Sequence, residues 1–310
     1  MASGLLIIDK GKGPTSHDIV EQVRKSLGIM QVGHAGTLDP FATGLLLVGF
    51  GKGTRLLEYL QGETKIYQIK MKLGLITDTF DITGTVMEEN EIDADESTIL
   101  EAVKSFVGTY AQVPPAYSAR KYQGKKLYEL ARNGKIINLP PRDVKIHEIS
   151  NVTVEIPYVE FTAKVSAGTY IRSLCMDIGY KLGCGATAIE LRRTQVGKFK
   201  VEDGVRVDRL NEVERIEDLQ AFVPLEGMLD YPKIWVADKD KIYNGIQPKV
   251  SDLQWYEKFE KDDMIQIFYH DKLVAIAIAE RNSEFIDTLV RQGRNERIAT
   301  LKKVIKTEGE

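Results

Sequence analysis

GHAGTLDPFATGLLLVGFGKGT (residues 33–54) holds a single acidic residue, Asp39, wedged between a leucine and a proline with glycines on either side. LLLVGF is a short apolar run bounded by glycines, the pattern of a buried strand. GKGTRLLEYL comes at once and opens a helix directly after the glycines. Strand, glycine loop and helix in that order are how a phosphate cradle begins. The Walker pattern, however, needs Ser or Thr after Gly-Lys, and Lys52 is followed by Gly53. The spacing of Gly49, Gly51 and Gly53 also misses GxGxxG. The loop therefore reads as a tight structural turn. Asp39 has two readings. A residue before proline is driven into extended backbone and Pro40 suits the start of a helix or turn, so Asp39 could simply cap a helix or turn begun by Pro40. Alternatively, an aspartate among glycines that permit close approach, with the His34 ring nearby, is a nucleophile that needs a cation to orient it.

Working outward, GLLIIDK reads as a buried strand and GKGPTSH as a turn. SHDIVEQVRKSLG has helical spacing of Ile19, Val20, Val23 and Leu27 behind a Ser16 or Asp18 cap. KIYQIKMKLG, NVTVEI and FTAKVSA alternate as strands do, and ESTILEAVKSFVG is an amphipathic helix ended by Gly108. Strands and helices mix without a regular βαβ rhythm, so the expected class is α+β. VPLEGMLDYPK (residues 223–233) carries two prolines and a glycine ahead of a tail containing IWVA, DMIQIFYH and KLVAIAIAE. The expected domains are residues 1–230 and a small β domain at residues 231–310.

With 310 residues, 43% hydrophobic and 28% charged, the chain has the make-up of a folded globular protein and none of the signs of a disordered or coiled-coil one. Cys175 and Cys184 form no CxxC pair, and His17, His34, His147 and His270 are too scattered for a zinc cluster. HExxH and GxSxG are absent. No apolar run approaches the roughly 18 residues of a membrane helix. These features lead us to expect a cytoplasmic protein with reduced thiols, no metal and no cofactor. The net charge of −3 is unevenly spread. Residues 111–146 hold eight basic side chains against two acidic ones, and residues 281–306 hold seven against three. Two positive segments on an acidic body are what attracts phosphate, although solvated lysine-rich faces would count the same way.

Five blocks, in order, carry a resemblance: GHAGTLDPFATGLLLVGFGKGTR, KIYQIKMKLG, QVPPAYSARKYQGKKLYELARNG, GTYIRSLCMDIGYKLGCGA and ELRRTQVG. Together they resemble the bacterial TruB family, the tRNA pseudouridine-55 synthases, over about 230 residues. The tail resembles that family's RNA-binding PUA domain in character more than in motif. The resemblance implies a pseudouridine-synthase-type mixed sheet flanked by helices, a basic insertion at about residues 111–146 and a PUA-like C-terminal β domain. It implies that uridine in the T-loop of tRNA is isomerised to pseudouridine without a cofactor. Asp39 matches the nucleophile, directed at the uracil ring or at C1′ of the ribose. Arg172, in GTYIR, matches the arginine that pairs with it; read without the family it would be a surface strand residue. Tyr67 matches the tyrosine that stacks on the target base and assists proton removal from C5. Tyr170 and Leu191 match positions lining the uracil pocket, where residues of these types would otherwise be ordinary core.

A uridine stacked inside a folded loop must be extruded before its ring can meet a carboxylate, at a cost of a few kcal/mol. The resemblance places His34 beside the flipped nucleotide; a neutral core histidine is the competing reading. The insertion interleaves Tyr117, Tyr122 and Tyr128 with its cations, as RNA-binding segments do, and the family uses it to close over the tRNA. KKLYELARNG within it reads as an amphipathic surface helix. The basic tail is expected to hold the acceptor arm, with no obligatory protein partner. Three alternatives stay open: a non-catalytic tRNA-binding or folding module, a guide-RNA-dependent pseudouridine synthase, and a small-molecule nucleotide enzyme using the glycine loops.

Overall fold

A computed structural model of the chain describes residues 3–117, 121–122, 124–126, 135 and 139–306. The chain begins with β1 (Gly4–Lys10), α1 (Ser16–Leu27), β2 (Val32–Ala35) and β3 (Thr43–Phe50). A 3-10 turn at Gly51–Leu56 leads to α2 (Leu57–Gln61), β4 (Lys65–Leu73) and the hairpin β5 (Leu75–Thr77) and β6 (Val86–Glu89). Next come α3 (Glu96–Lys104), β7 (Gly108–Gln112) and the two-residue strands β8 (Lys121–Tyr122) and β9 (Lys125–Lys126). After them stand β10 (Arg142–Glu155), β11 (Tyr158–Val165), α4 (Ile171–Lys181), β12 (Ala186–Val196), β13 (Phe199–Lys200) and β14 (Phe222–Pro224). The tail holds β15 (Lys233–Val236), α5 (Lys239–Tyr243), β16 (Leu253–Tyr256), β17 (Met264–Tyr269), β18 (Lys272–Ala279), α6 (Ser283–Arg291) and β19 (Ala299–Val304).

The larger sheet runs β14-β1-β3-β12-β4-β11-β10-β7, with β2 paired to β3 and β13 to β12. Its pairs are antiparallel except β3–β12, which is parallel. The tail forms a second sheet, β16-β15-β17-β18-β19, so the expected α+β class with a mixed sheet and a C-terminal β sheet is observed. GLLIIDK and LLLVGF are continuously apolar because β1 and β3 are covered on both faces. Leu6, Ile8, Leu46 and Val48 join the core shared with α1 and α4, whereas Leu5, Ile7, Leu45 and Leu47 pack in a second cluster with Phe268, Leu273 and Ile276 of the tail sheet. Among the described residues, no helix is long and apolar enough to cross a membrane.

Several local expectations are corrected. Thr15, not Ser16 or Asp18, is the cap of α1: its side chain accepts from the Asp18 amide while the Asp18 carboxylate accepts from the Thr15 amide. Ser16 is thereby left for another task. Helix α3 stops at Lys104, and Gly108, at φ +122°, opens β7 instead of ending the helix. The helix expected through GKGTRLLEYL is 3-10 for its first six residues, which leaves α2 five residues long. The turn reading of the glycine loop holds, since a Cβ on Gly53 would lie 2.0 Å from the Gly4 carbonyl oxygen. The glycine is there because the β1 backbone passes directly against it. The helix expected within KKLYELARNG lies outside the described residues apart from the β9 pair, as do Arg120, Tyr128 and Arg132 and the side chains of Tyr122, Lys125 and Lys126.

Charge in the tail is also less one-sided than the window suggested. Arg297 pairs with Glu280, one residue outside the window, and Lys303 pairs with Glu58 of α2. Arg281 and Arg294 meet Glu296.

Gly44 of β3 stands directly against the Arg193 backbone of β12. At φ +99°, a Cβ there would stand 2.2 Å from the Arg193 carbonyl oxygen. Gly44→Ala is expected to destabilise the fold by about 3 kcal/mol from left-handed strain and overpacking combined. Gly28→Ala, in open space at φ +63°, should cost only about 1 kcal/mol. Urea midpoints at constant slope check the difference.

Candidate active site

The six residues singled out in the sequence come from separate elements and line one cavity of about 420 Å³. His34 lies on β2, Asp39 in the loop between β2 and β3, and Tyr67 on β4. Tyr170 is the N-cap residue of α4, Arg172 is the second residue of that helix, and Leu191 lies on β12. A larger hollow of about 610 Å³ adjoins along the sheet and shares Leu191, but its Arg192 and Lys70 are paired with Asp9 and Glu160.

The Asp39 loop is clamped at every step. Ser16 Oγ, released from capping, accepts from the Leu38 amide at 2.8 Å and donates to the Leu38 carbonyl at 3.1 Å. The Gly13 amide donates to the Pro40 carbonyl at 2.8 Å, and Lys10 Nζ reaches the same oxygen at 3.4 Å. Arg193, 1% exposed, donates from Nη1 and Nη2 to the Thr37 and Gly36 carbonyls and from Nε to Leu45. Rigid backbone on both sides fixes where the Asp39 carboxylate stands. Half of the capping reading holds: Pro40 and Phe41 form a turn closed by the Ala42 amide on the Asp39 carbonyl at 3.1 Å, but no helix follows and the carboxylate faces Arg172 instead, 2.9 Å from Nε and 3.4 Å from Nη2.

Arg172 is buried, 4% exposed, at the start of a helix, so the surface-strand alternative fails as well. Its four Nη N–H groups are all used, and Nε adds the 2.9 Å ion-pair contact to Asp39. Besides Asp39, Nη1 donates to the Thr79 carbonyl at 2.7 Å and to Asp81 Oδ2 at 3.1 Å, and Nη2 donates to the Tyr117 carbonyl at 2.8 Å. The guanidinium therefore lies between a half-exposed carboxylate at the cavity and a buried one behind it. Asp81 is in turn held by the Thr83 amide at 3.0 Å and the Thr83 hydroxyl at 2.5 Å. This layered arrangement is how a rigid bidentate fork orients an acid.

The wall formed by Tyr170 depends on Gln112, 1% exposed at the end of β7. Its side chain accepts from the Tyr170 amide at 2.8 Å and donates to the Tyr170 carbonyl at 3.0 Å. Behind it, Gln112 also donates to the Tyr110 hydroxyl, which donates to Asp177 at 3.1 Å. Burial pushes the Asp177 carboxyl up to about 6, opposed by the bond from Tyr110. A carboxyl held above its unfolded value destabilises the fold wherever it must ionise, so stability falls as pH rises from about 4 through about 6. Asp177→Asn keeps the acceptor for Tyr110 and should raise Tm at pH 7.5 with the gain absent at pH 4, as thermal melts at both pH values will report.

Residues 24–171 match the family model described as TruB family pseudouridylate synthase, N-terminal domain, and residues 172–230 match the tRNA pseudouridylate synthase B C-terminal domain. The chain belongs to the TruB family of pseudouridylate synthases. It is 52% identical to the tRNA pseudouridine synthase B of Thermotoga petrophila over 99% of this chain and 100% of that one. The protein of that name from Clostridium novyi is 40% identical over 91% of this chain and 96% of its own. Among solved structures, a chain of the H/ACA RNP bound to a substrate RNA containing 2′-deoxyuridine is similar at TM-score 0.74 and 27% identity, covering 98% of this chain and 85% of that chain. A chain of a Cbf5-Nop10-Gar1 complex is similar at TM-score 0.73 and 29% identity, with the same coverage.

Within this TruB-family cavity, sequence reasoning missed Asp81, Gln112, Arg193 and Ser16. Arg193 left a usable signal. Neighbouring residues on a strand point to opposite faces, so of Arg192 and Arg193 one had to face inward, and only a backbone-lined or charged cavity would accept it. Asp81 left none, because TFDITG reads as an ordinary turn.

Proposed function

We propose that the chain isomerises uridine 55 in the T-loop of tRNA to pseudouridine, with Asp39 as nucleophile and no cofactor. The observation that carries this is the Asp39 carboxylate fixed by the buried Arg172 guanidinium at the wall of a cavity that also presents Tyr67, Tyr170, Leu191 and His34. The cavity's size suits a flipped pyrimidine nucleotide. In the reaction, the N1–C1′ bond breaks, a C5–C1′ bond forms, C5 loses a proton and N1 gains one, so nothing is consumed. Asp39 supplies the attacking oxygen, and the bonds from Arg172 hold it in place, which lowers the entropy cost of attack. Tyr67, 7% exposed, offers a ring to stack on the base and a hydroxyl for the C5 proton. His34, on the rim strand β2, fills the gap left by the extruded nucleotide.

We assign residues 1–230 to catalysis and residues 231–310 to a PUA-like RNA-binding domain that holds the acceptor arm, with the insertion at about 111–146 closing over the T-loop. Two free, buried cysteines fit a cytoplasmic setting. A guide-dependent enzyme is the second reading, favoured by the likeness to chains of H/ACA assemblies. Identity of 27–29% to those against 52% to proteins named for tRNA supports the stand-alone form. The deciding experiment maps pseudouridine in a tRNA transcript incubated with the purified chain alone. Pseudouridine at position 55 is expected, and a requirement for guide RNA or a product at another position would overturn the proposal.

A further inference from the structure

Four cations are buried around the cavity, and among the described residues only Arg172 is bonded to carboxylates. Lys10, Lys65 and Arg193 are 1%, 6% and 1% exposed and are held by backbone carbonyls. Lys10 Nζ donates to Gly11 and Pro14 at 2.9 Å, and Lys65 Nζ donates to Gln61 and Glu63 carbonyls at 2.7 Å. Burying a cation without a counter-ion is costly. Burial brings both lysines down to about 8, and at Lys65 the repulsion of Arg193 outweighs the attraction of Glu63. Asp39 offsets part of the burial at Lys10, whereas the Lys65 ammonium has only backbone carbonyls bonded to it before any substrate arrives.

Lys65 and Arg193 both line the cavity. Arg193 is tied on three sides to strand and loop carbonyls and acts as a buttress. Lys65 spends two of its three N–H groups on the carbonyls at the end of α2, which leaves one to give. A nucleotide entering this cavity brings one formal charge, its phosphodiester, while its base needs the apolar surfaces of Tyr67 and Leu191. We propose that the Lys65 ammonium is an anion subsite of the cavity, receiving the phosphodiester linkage next to the extruded uridine. The bound linkage supplies the bonded countercharge that Lys65 lacks and draws the backbone inward as the base leaves its stack. This rests on the reading of the cavity as a uridine site.

The test uses the full chain and a T-arm RNA hairpin carrying one neutral methylphosphonate linkage, placed 5′ or 3′ of the target uridine. At one of these two positions the neutral linkage is expected to weaken wild-type binding about tenfold, as Lys65→Met does on the unmodified hairpin. Combined, the two changes should cost no more than either alone, and Lys65→Arg should bind within about threefold of wild type. Additive losses, or a fall in kcat with unchanged Kd, would overturn the subsite. If Lys65→Met fails to fold, wild type decides: indifference to both neutral linkages overturns it, and a tenfold loss at one of them with Lys65→Arg retaining affinity supports it. Pseudouridine formation on the unmodified hairpin is scored separately. Linkage-dependent binding without product would sink the proposed reaction and leave the subsite standing.

Discussion

Asp39→Asn abolishes pseudouridine formation and leaves tRNA affinity within about threefold of wild type: that is the expected result of single-turnover assays run beside filter binding. Loss of the attacking oxygen should lower the rate by about 10⁴-fold or more, as removal of a nucleophile does elsewhere. The fold should survive, because Arg172 keeps Asp81 as its carboxylate partner at 3.1 Å and its bonds to the Thr79 and Tyr117 carbonyls. The loop is held by Ser16, Gly13 and Arg193 through backbone groups that the substitution does not touch. Retained turnover would refute the nucleophile, and retained cellular effect without turnover would favour the non-catalytic tRNA-binding module.

Arg172→Met should be almost as damaging to the rate and, unlike Asp39→Asn, should also damage the fold. Loss of its pairing with Asp39 by itself would cut turnover and leave binding nearly intact. The structure adds a second cost, because Arg172 also neutralises Asp81, which is only 4% exposed. Breaking a buried pair from one side costs about 3–5 kcal/mol, which for a chain of this size lowers Tm by roughly 6–15 °C. Adding Asp81→Asn to Arg172→Met removes the stranded charge, so the double variant should regain most of the lost Tm and none of the lost rate. Thermal melts and single-turnover rates on the three variants separate the two roles. A double variant as unstable as Arg172→Met would mean that the lost carbonyl bonds, not the stranded carboxylate, dominate.

The order of strands and helices was largely legible, because the apolar runs of β1 and β3 and the alternation of β4 are direct imprints of burial on two faces or one. Ends of elements were not. Ser16 and Thr15 are both good caps by composition, and what selects Thr15 is that the Ser16 hydroxyl is needed 22 residues away at Leu38. Gly108 looked like a helix stop, yet its positive φ serves the entry to a strand that pairs with β10. The tail's charge was misjudged for the same reason, since Glu58 reaches Lys303 only through the packing of α2 against the second sheet.

By itself the sequence determined which residues could do chemistry here. An aspartate before proline among glycines, an arginine behind GTY and a tyrosine on an alternating strand fix the available functional groups, since identity and local backbone preference are properties of short segments. Only the tertiary structure decided that Asp39, Arg172 and Asp81, separated by as many as 133 residues, form one ion network. It also decided that Lys10, Lys65 and Arg193 are buried with backbone carbonyls, and no carboxylate among the described residues, as their bonded partners. Charge compensation depends on what the sheet brings within a few ångströms, and no pattern along the chain records that distance.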